Sequence, residues 1–164
     1  MPASAESSGG AASAEGSGAA AFAAGSGAPS SKPPVTAELV WTEGLQFGVT
    51  SGRIATVVDG HSTAGASPVQ MLVISLAACM GMDVLDIVQK GRHPLTAFRT
   101  SIVAERQQQV PHRLTKASIH FHIHGAVPEA AVERAIALSR DKYCSVWQSL
   151  REDITLDTAY TIVA

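Results

Sequence analysis

The sequence predicts a single domain of the α+β class that begins at about residue 35 and continues to the C-terminus. First, the strand-like and helix-like segments follow one another as three strands, a helix, two strands, a helix and a last strand. Second, this order lacks the regular alternation of strand and helix from which parallel α/β sheets are built. Third, the first helical segment is long and almost wholly apolar, which is typical of a central helix. A region of about 130 residues is long enough to form one hydrophobic core.

Residues 1–34 have a different composition from the rest of the chain. They are almost entirely Ala, Gly, Ser and Pro, and Phe22 is their only aromatic side chain. Such a segment cannot bury enough apolar surface to offset its conformational entropy, so we expect a disordered tail. Its first basic residue is Lys32, so it lacks the charged start that a secretory signal requires. We therefore expect a cytoplasmic protein.

The charge distribution and hydropathy argue against nucleic-acid and membrane partners. The formal net charge is −2 at pH 7, and acidic and basic residues are spread along the chain. This pattern lacks the basic stripe that nucleic-acid binding requires. The longest apolar stretch, residues 71–82, is interrupted by Ser75 and is too short to span a bilayer.

Alternating apolar and polar residues predict three short strands at the start of the domain. The pattern covers residues 35–41, 45–49 and 53–58, and a Ser-Gly turn separates the second strand from the third. A polar loop, residues 59–66, then leads to the first helix.

The start of the first helix is the clearest local signal in the sequence. Ser67 stands at the N-cap, Pro68 at the first helical position, and Gln70 where it completes a capping box. The helix is predicted to continue to about residue 90, before a glycine. Because nearly every residue in 69–82 is apolar, we expect this helix to be enclosed on most sides.

The remaining elements are predicted from the same patterns. Alternation predicts strands at residues 98–104 and 115–123, and a last strand at 154–162. A second helix is predicted over residues 128–142, with acidic residues early and basic residues late. A short turn extending to residue 150 follows it.

The two cysteines are the first candidates for chemistry. Cys79 lies on the central helix and Cys144 just after the second helix. In a reducing cytosol they are not expected to form a permanent disulfide, and reactive thiol chemistry is the alternative. A lone buried cysteine usually behaves as a small apolar side chain. Cys144 follows basic residues and is a natural resolving partner, so both a structural and a redox interpretation remain open.

Two further groups have both an ordinary and a functional interpretation. His120, His122 and His124 share one face of a strand, where two of them could bind a metal, although such a polar face is ordinarily just solvated. Asp83 is four residues after Cys79 and therefore neighbours it on the helix. Its carboxylate could accept a proton from the thiol, but its charge would also oppose thiolate formation.

The stretches GASPVQMLVISLAACMGMDVLDIVQKGR and AIALSRDKYCSV resemble the family of osmotically induced and organic-hydroperoxide-resistance proteins, the OsmC/Ohr family. This resemblance covers about residue 35 to the end. It implies an intertwined homodimer in which a curved antiparallel sheet wraps around two central helices. It also implies that Cys79 attacks an organic hydroperoxide and becomes a sulfenic acid, and that Cys144 then forms a disulfide with it. A dithiol reductant would restore both thiols, and neither a metal nor an organic cofactor is implied.

The sequence departs from the catalytic members of this family at two positions. Those members use an arginine from the N-terminal turn and a glutamate directly after the proline of the helix cap. Here the residue after Pro68 is Val69, followed by the uncharged Gln70, so the chain is closest to the branch that lacks this pair. Arg53 is the nearest replacement for the arginine. Arg53 and Gln70 are therefore the candidates for support of the thiolate.

Three functions remain open from the sequence. The leading one is the reduction of apolar organic hydroperoxides, with side chains of the central helix as the pocket lining: Met71, Leu76, Met80 and Met82. The second is a non-catalytic protein of the same fold that binds an apolar small molecule. The third is metal binding by the histidine strand.

Overall fold

The computed structural model of the protein describes residues 32–163. The expected disordered tail, residues 1–34, lies outside this range except for its last three residues. The residues from Thr36 onward form one compact unit.

The first sheet is built from the three N-terminal strands. Strands β1 (Glu38–Glu43), β2 (Gln46–Ser51) and β3 (Ile54–Asp59) are antiparallel and lie in this order. Gly44 and Gly52 form the two hairpin turns with φ of +49° and +58°, a backbone region that glycine adopts at little cost. The three predicted strands are confirmed, with small changes of their ends.

Helix α1 (Pro68–Lys90) begins and ends as the sequence predicts. The amide of Gln70 donates to Ser67 Oγ, and Gln70 Oε1 accepts from the amide of Ser67 at 2.8 Å. The capping box therefore satisfies amide groups that the first helical turn leaves without partners. Gly91 is the C-cap. The 23 residues of α1 give a helix about 34 Å long.

The second sheet contains β4 (Leu95–Arg106), β5 (Leu114–Gly125) and β6 (Thr155–Val163), in that order. The α+β class is confirmed, but this sheet is not antiparallel throughout. Strands β4 and β5 are antiparallel, whereas β5 and β6 are parallel, because the chain between β5 and β6 crosses over through helix α2 (Glu129–Leu138).

The hydrophobic core lies between this second sheet and helices α1 and α2. Its members are apolar side chains of α1, β5 and α2, together with Cys144: Leu76, Met80, Val84, Val88, Ala117, Ile119, Phe121, Ile123, Val132, Ala135 and Ile136. By length and composition alone, α1 could also cross a membrane. Its packing against β4 and α2 indicates instead the core helix of a soluble domain.

The opposite face of α1 is left open by the other residues in the range 32–163. The side chains of Ile74 and Met82 are 57% and 68% exposed. The expectation that α1 is enclosed on most sides is therefore wrong for a single chain. The first sheet does not cover this face, and its own side chains Val40, Trp41 and Ile54 are each more than half exposed.

The loop between β3 and α1 is organised by a buried carboxylate. Asp59 is fully buried and accepts hydrogen bonds from Thr63 Oγ1 at 2.6 Å and from the amides of Ala64, His61 and Thr63 at 2.9 Å. These donors, Thr63 Oγ1 first, hold the pKa of Asp59 well below its usual range. The sequence predicted this segment only as a polar loop. An aspartate followed by Gly, His, Ser and Thr is typical of such side-chain-capped turns.

Asp59→Asn is expected to lower the melting temperature at neutral pH, because an amide cannot accept this set of hydrogen bonds. Since the folded pKa of Asp59 is depressed, its stabilisation is present above the unfolded pKa of about 4 and is lost as the pH falls below it. The difference in melting temperature between the wild type and Asp59→Asn should therefore shrink between about pH 5 and pH 2. Thermal unfolding followed by circular dichroism at several pH values in this range measures the difference, and Asp86→Asn, at an exposed position, is the control. A difference that stays constant with pH would contradict the assignment.

Candidate functional site

Cys79 lies in the middle of α1, between the core face of the helix and its exposed face. Its side chain is half-buried and packs against the core cluster. Asp83 follows one turn later on the same helix and is also half-buried. The helix therefore presents a thiol and a carboxylate side by side, as their spacing predicts.

Cys144 is positioned by an irregular helical segment. Helix α2 ends at Leu138, and a π-helical turn, Ser139–Tyr143, follows it. The prediction of a regular helix to residue 142 is therefore wrong over its last turn. The amide of Cys144 donates to the carbonyl oxygen of Ser139 at 2.8 Å, the i to i+5 bond that defines this turn.

The thiol of Cys144 is fully buried and caps a short helix. Helix α3 (Ser145–Gln148) begins directly after it, and Cys144 Sγ accepts from the amide of Trp147 at 3.3 Å. The π-helical turn and α3 together direct the thiol back toward α1.

The two cysteines meet where the π-helical turn packs against α1. The Sγ atoms of Cys79 and Cys144 and a carboxylate oxygen of Asp83 all lie within 4.8 Å of one another. Both cysteines are free thiols. Their separation of 65 positions gave no sign of this proximity, because it depends on the docking of the segment after α2 against α1.

Burial keeps the thiol of Cys144 protonated. Desolvation, followed by the hydrogen bond and charge of Cys79 and the charge of Asp83, raises the pKa of Cys144 to about 12, although the amide of Trp147 acts in the opposite direction. The ion pairs found within residues 32–163 involve carboxylates other than that of Asp83. The site therefore collects three groups that become negative on ionisation.

Ser139 connects the two halves of the site. It is fully buried, its hydroxyl donates to Asp83 Oδ2 at 2.8 Å, and its carbonyl oxygen accepts the amide of Cys144. Ser139 was not among the site residues predicted from the sequence. The available signal was its helical spacing from Val132 and Ile136, which places a polar side chain on the buried face of α2.

Ser139→Ala is expected to destabilise the fold by about 1.5–3 kcal/mol, the usual loss for a hydrogen bond to a charged partner. In this variant the carboxylate of Asp83 loses the hydrogen bond that the Ser139 hydroxyl donates. Urea unfolding followed by circular dichroism measures the change. Ser145→Ala, an exposed serine on α3, is the matched control and should stay within about 0.5 kcal/mol of the wild type. Equal stability of Ser139→Ala and the wild type would contradict the role of this hydrogen bond.

Arg53 and Gln70, the candidates for support of the thiolate, lie in different parts of the fold. Arg53 is exposed at the turn between β2 and β3. Gln70 is nine residues before Cys79, about 14 Å along the helix axis, and its Oε1 accepts from Ser67 and from Ser62 Oγ. Gln70 therefore serves the helix cap in this chain.

The side chains expected to line one apolar pocket do not share it. Leu76 and Met80 are fully buried in the core, while Met82 lies on the exposed face of α1. Met82 instead lines an apolar groove of about 430 Å³ between α1 and β4, with Ile74 and Phe98 among its other side chains. The expectation that Leu76, Met80 and Met82 line a single pocket is wrong, because positions 76 and 80 share the core face of α1 whereas position 82 lies on the exposed face.

The histidine strand is a separate polar surface. The rings of His120 and His122 stack with centroids 4.3 Å apart, and their Nε2 atoms lie 2.8 Å from Thr161 Oγ1 and 3.4 Å from Ser101 Oγ. Desolvation, and then the charge of Arg99, lowers the pKa of His122. Within the described part of the chain, the three potential ligands that come within 4.8 Å of one another are Cys79, Asp83 and Cys144, not the histidines.

A second cavity adjoins the cysteine site. It has a volume of about 400 Å³ and is lined by Asp83, Asp86, Ile87, Lys90 and Tyr143. Lys90 pairs with Asp86 at 2.6 Å across one turn of α1. This cavity gives solvent a route to the carboxylate of Asp83.

The chain matches a known protein family and curated relatives. The model of the family described as "OsmC-like protein" matches residues 60–159. Protein YhfA of Escherichia coli K12 is 34% identical over 131 residues, which are 78% of this chain and 98% of that protein.

Solved structures share the fold at lower identity. A hypothetical protein from Aquifex aeolicus VF5 superimposes with a TM-score of 0.75 at 23% identity, over 80% of this chain and 98% of that one. An OsmC-like protein from Mycoplasma pneumoniae gives a TM-score of 0.70 at 16% identity, over 80% and 99%. An organic hydroperoxide resistance protein from Legionella pneumophila gives 0.59 at 13% identity, over 79% and 97%.

Proposed function

The chain belongs to the OsmC-like family, and on this basis we propose that it is a cytoplasmic thiol peroxidase that reduces organic hydroperoxides through Cys79 and Cys144. The observation that carries the proposal is the meeting of these two free thiols at one point of the fold, within 4.8 Å. A solved relative of the same fold is named as an organic hydroperoxide resistance protein, which supports the choice of substrate class.

In the first step, Cys79 attacks the hydroperoxide. Its sulfur forms a bond to one peroxide oxygen, the O–O bond breaks, and the other oxygen leaves as an alkoxide. The proton of the thiol passes to this leaving group, which departs as an alcohol, and Asp83 is the carboxylate close enough to carry it. Cys79 is thereby oxidised to a sulfenic acid.

In the second step, Cys144 resolves the sulfenic acid. Its sulfur attacks the sulfur of Cys79, the disulfide forms, and the hydroxyl of the sulfenic acid leaves as water with the proton of Cys144. The assignment of roles follows from burial: Cys144 is fully enclosed and protonated, whereas Cys79 is half-buried.

The third step requires an external dithiol. It reduces the Cys79–Cys144 disulfide and is itself oxidised to a disulfide, so that each cycle consumes one hydroperoxide and one dithiol. The half-buried Cys79 is the sulfur that such a reductant can reach.

We also propose that the functional protein is a homodimer. The observation that supports this is the exposure of large apolar side chains on β1, on β3 and on the open face of α1: Leu39, Val40, Trp41, Ile54, Ile74 and Met82. A second copy would supply an apolar cover for both faces.

Peroxide consumption by the reduced wild-type protein tests the function. Without reductant we expect about one equivalent of tert-butyl hydroperoxide to be consumed per chain, as stoichiometry requires for one thiol pair, and repeated turnover when a dithiol is added. If peroxide is lost no faster with protein and dithiol than with the dithiol alone, the result would favour the second candidate, an apolar-ligand-binding protein. The apolar groove beside Met82 and the exposed position of Arg53 are the observations in favour of that candidate.

A further inference from the structure

The cysteine site brings together three potential ligands for a divalent metal ion such as zinc. We propose that Cys79, Asp83 and Cys144 bind one Zn²⁺ ion in the reduced protein, and that this ion protects both thiols from oxidation. The inference concerns regulation of the same site and rests on the cysteine pair of the proposed function, although metal binding is measured independently of turnover.

The distances between the ligand atoms suit zinc. With Zn–S bonds of about 2.3 Å, two thiolates of a tetrahedral site lie about 3.8 Å apart. Here the two Sγ atoms and the carboxylate oxygen already lie within 4.8 Å of one another, so small side-chain rotations bring them into place. Two sulfurs and one oxygen leave a fourth position for water.

The surroundings of the ligands support the same conclusion. Ser139 Oγ donates to Asp83 Oδ2, which leaves the other carboxylate oxygen for the ion and fixes the orientation of the group. Cys144 Sγ accepts from the amide of Trp147, a donor that stabilises a thiolate. The cavity lined by Asp83 and Lys90 provides a path from solvent.

The charges of the site favour a cation. Within residues 32–163, Asp83 has no basic side chain in ion-pair contact. A divalent ion would neutralise most of the charge of two thiolates and one carboxylate, and the thiol protons would be released on binding. Because the sulfur lone pairs then bond to the metal, neither thiol is free to attack a peroxide.

Zinc binding is tested on the reduced, metal-free, tag-free protein without oxygen. Competition with a chromophoric zinc chelator gives affinity and stoichiometry, and Co²⁺ reports sulfur ligation through its charge-transfer absorption. We expect one Zn²⁺ per chain, and protection of both cysteines from alkylation when zinc is present. Cys79→Ser, Cys144→Ser and Asp83→Asn should each weaken binding by more than roughly 10-fold, and Ser139→Ala by about 10-fold.

Two variants serve as matched controls, and circular dichroism confirms that each variant is folded. Asp157→Asn removes an exposed carboxylate on β6 that does not line the cavity beside Asp83, and His122→Gln changes the histidine strand; both should bind zinc as the wild type does. The proposal is overturned if the wild type binds no zinc at micromolar concentrations. It is also overturned if His122→Gln abolishes zinc binding and Asp83→Asn does not. If a variant fails to fold, alkylation of the wild type with and without zinc decides alone: unprotected cysteines overturn it.

The two proposals fail separately. Peroxide consumption is measured on the metal-free protein, so its absence with intact zinc binding contradicts only the peroxidase function. Turnover that added zinc does not slow contradicts only the protective metal site.

Discussion

Cys79→Ser is expected to lower the rate of organic hydroperoxide consumption by more than about 1,000-fold, because a serine hydroxyl is a far weaker nucleophile than a thiol. The substitution changes one atom at a half-buried position, so the fold should be retained. The measurement is the initial rate of tert-butyl hydroperoxide loss with a dithiol present, for wild type and variant at equal concentration.

Cys144→Ser is the matched control for this experiment. It should still consume the first equivalent of peroxide, since Cys79 is intact, but the sulfenic acid should persist and react with a sulfenic-acid-specific reagent. Turnover in Cys79→Ser equal to that of the wild type would contradict the assignment of the attacking thiol. A rapid first oxidation in Cys79→Ser and none in Cys144→Ser would reverse the two roles.

Ile74→Glu is expected to weaken dimerisation by about 100-fold or more, because the substitution places a charge in an apolar interface without a partner. Ile74 is 57% exposed in the single chain and lines the groove between α1 and β4. Sedimentation velocity over a range of concentrations should show a wild-type protein of twice the chain mass, and a variant that dissociates at micromolar concentration.

Val103→Glu provides the control for an added charge on an exposed apolar side chain. Val103 is 69% exposed and faces away from the core on β4, in register with Ser118 of β5. Its replacement should leave the oligomeric state unchanged. A monomeric wild type, or equal dissociation of both variants, would contradict the proposed interface on the open face of α1.

Local signals in the sequence predicted most of the elements. The capping box of Ser67 and Gln70 lies where its spacing requires, and alternation located all six strands. Such features depend on neighbouring residues, so a single chain sequence contains them. The C-terminal end of α2 was not predicted in this way, because the helix continues as a π-helical turn that packs Cys144 against α1.

Features that depend on distant parts of the chain were not predictable from residue patterns. Alternation locates β6 but does not show that it lies parallel to β5. The apolar composition of α1 indicated burial, but not that one of its faces stays open in the single chain. At the site, the proximity of Cys79 and Cys144 depends on tertiary packing. Helical spacing can mark Ser139 as a buried polar residue, but it does not identify Asp83 as its hydrogen-bond partner.

The central claim is that Cys79 and Cys144 act as one redox pair. The most direct measurement is a thiol count on the reduced, metal-free protein before and after one equivalent of an organic hydroperoxide, followed by peptide mass mapping. We predict rapid loss of both thiols and a peptide in which Cys79 and Cys144 are linked by a disulfide. Two thiols that remain free after minutes, or a disulfide between two chains instead of within one, would contradict the claim.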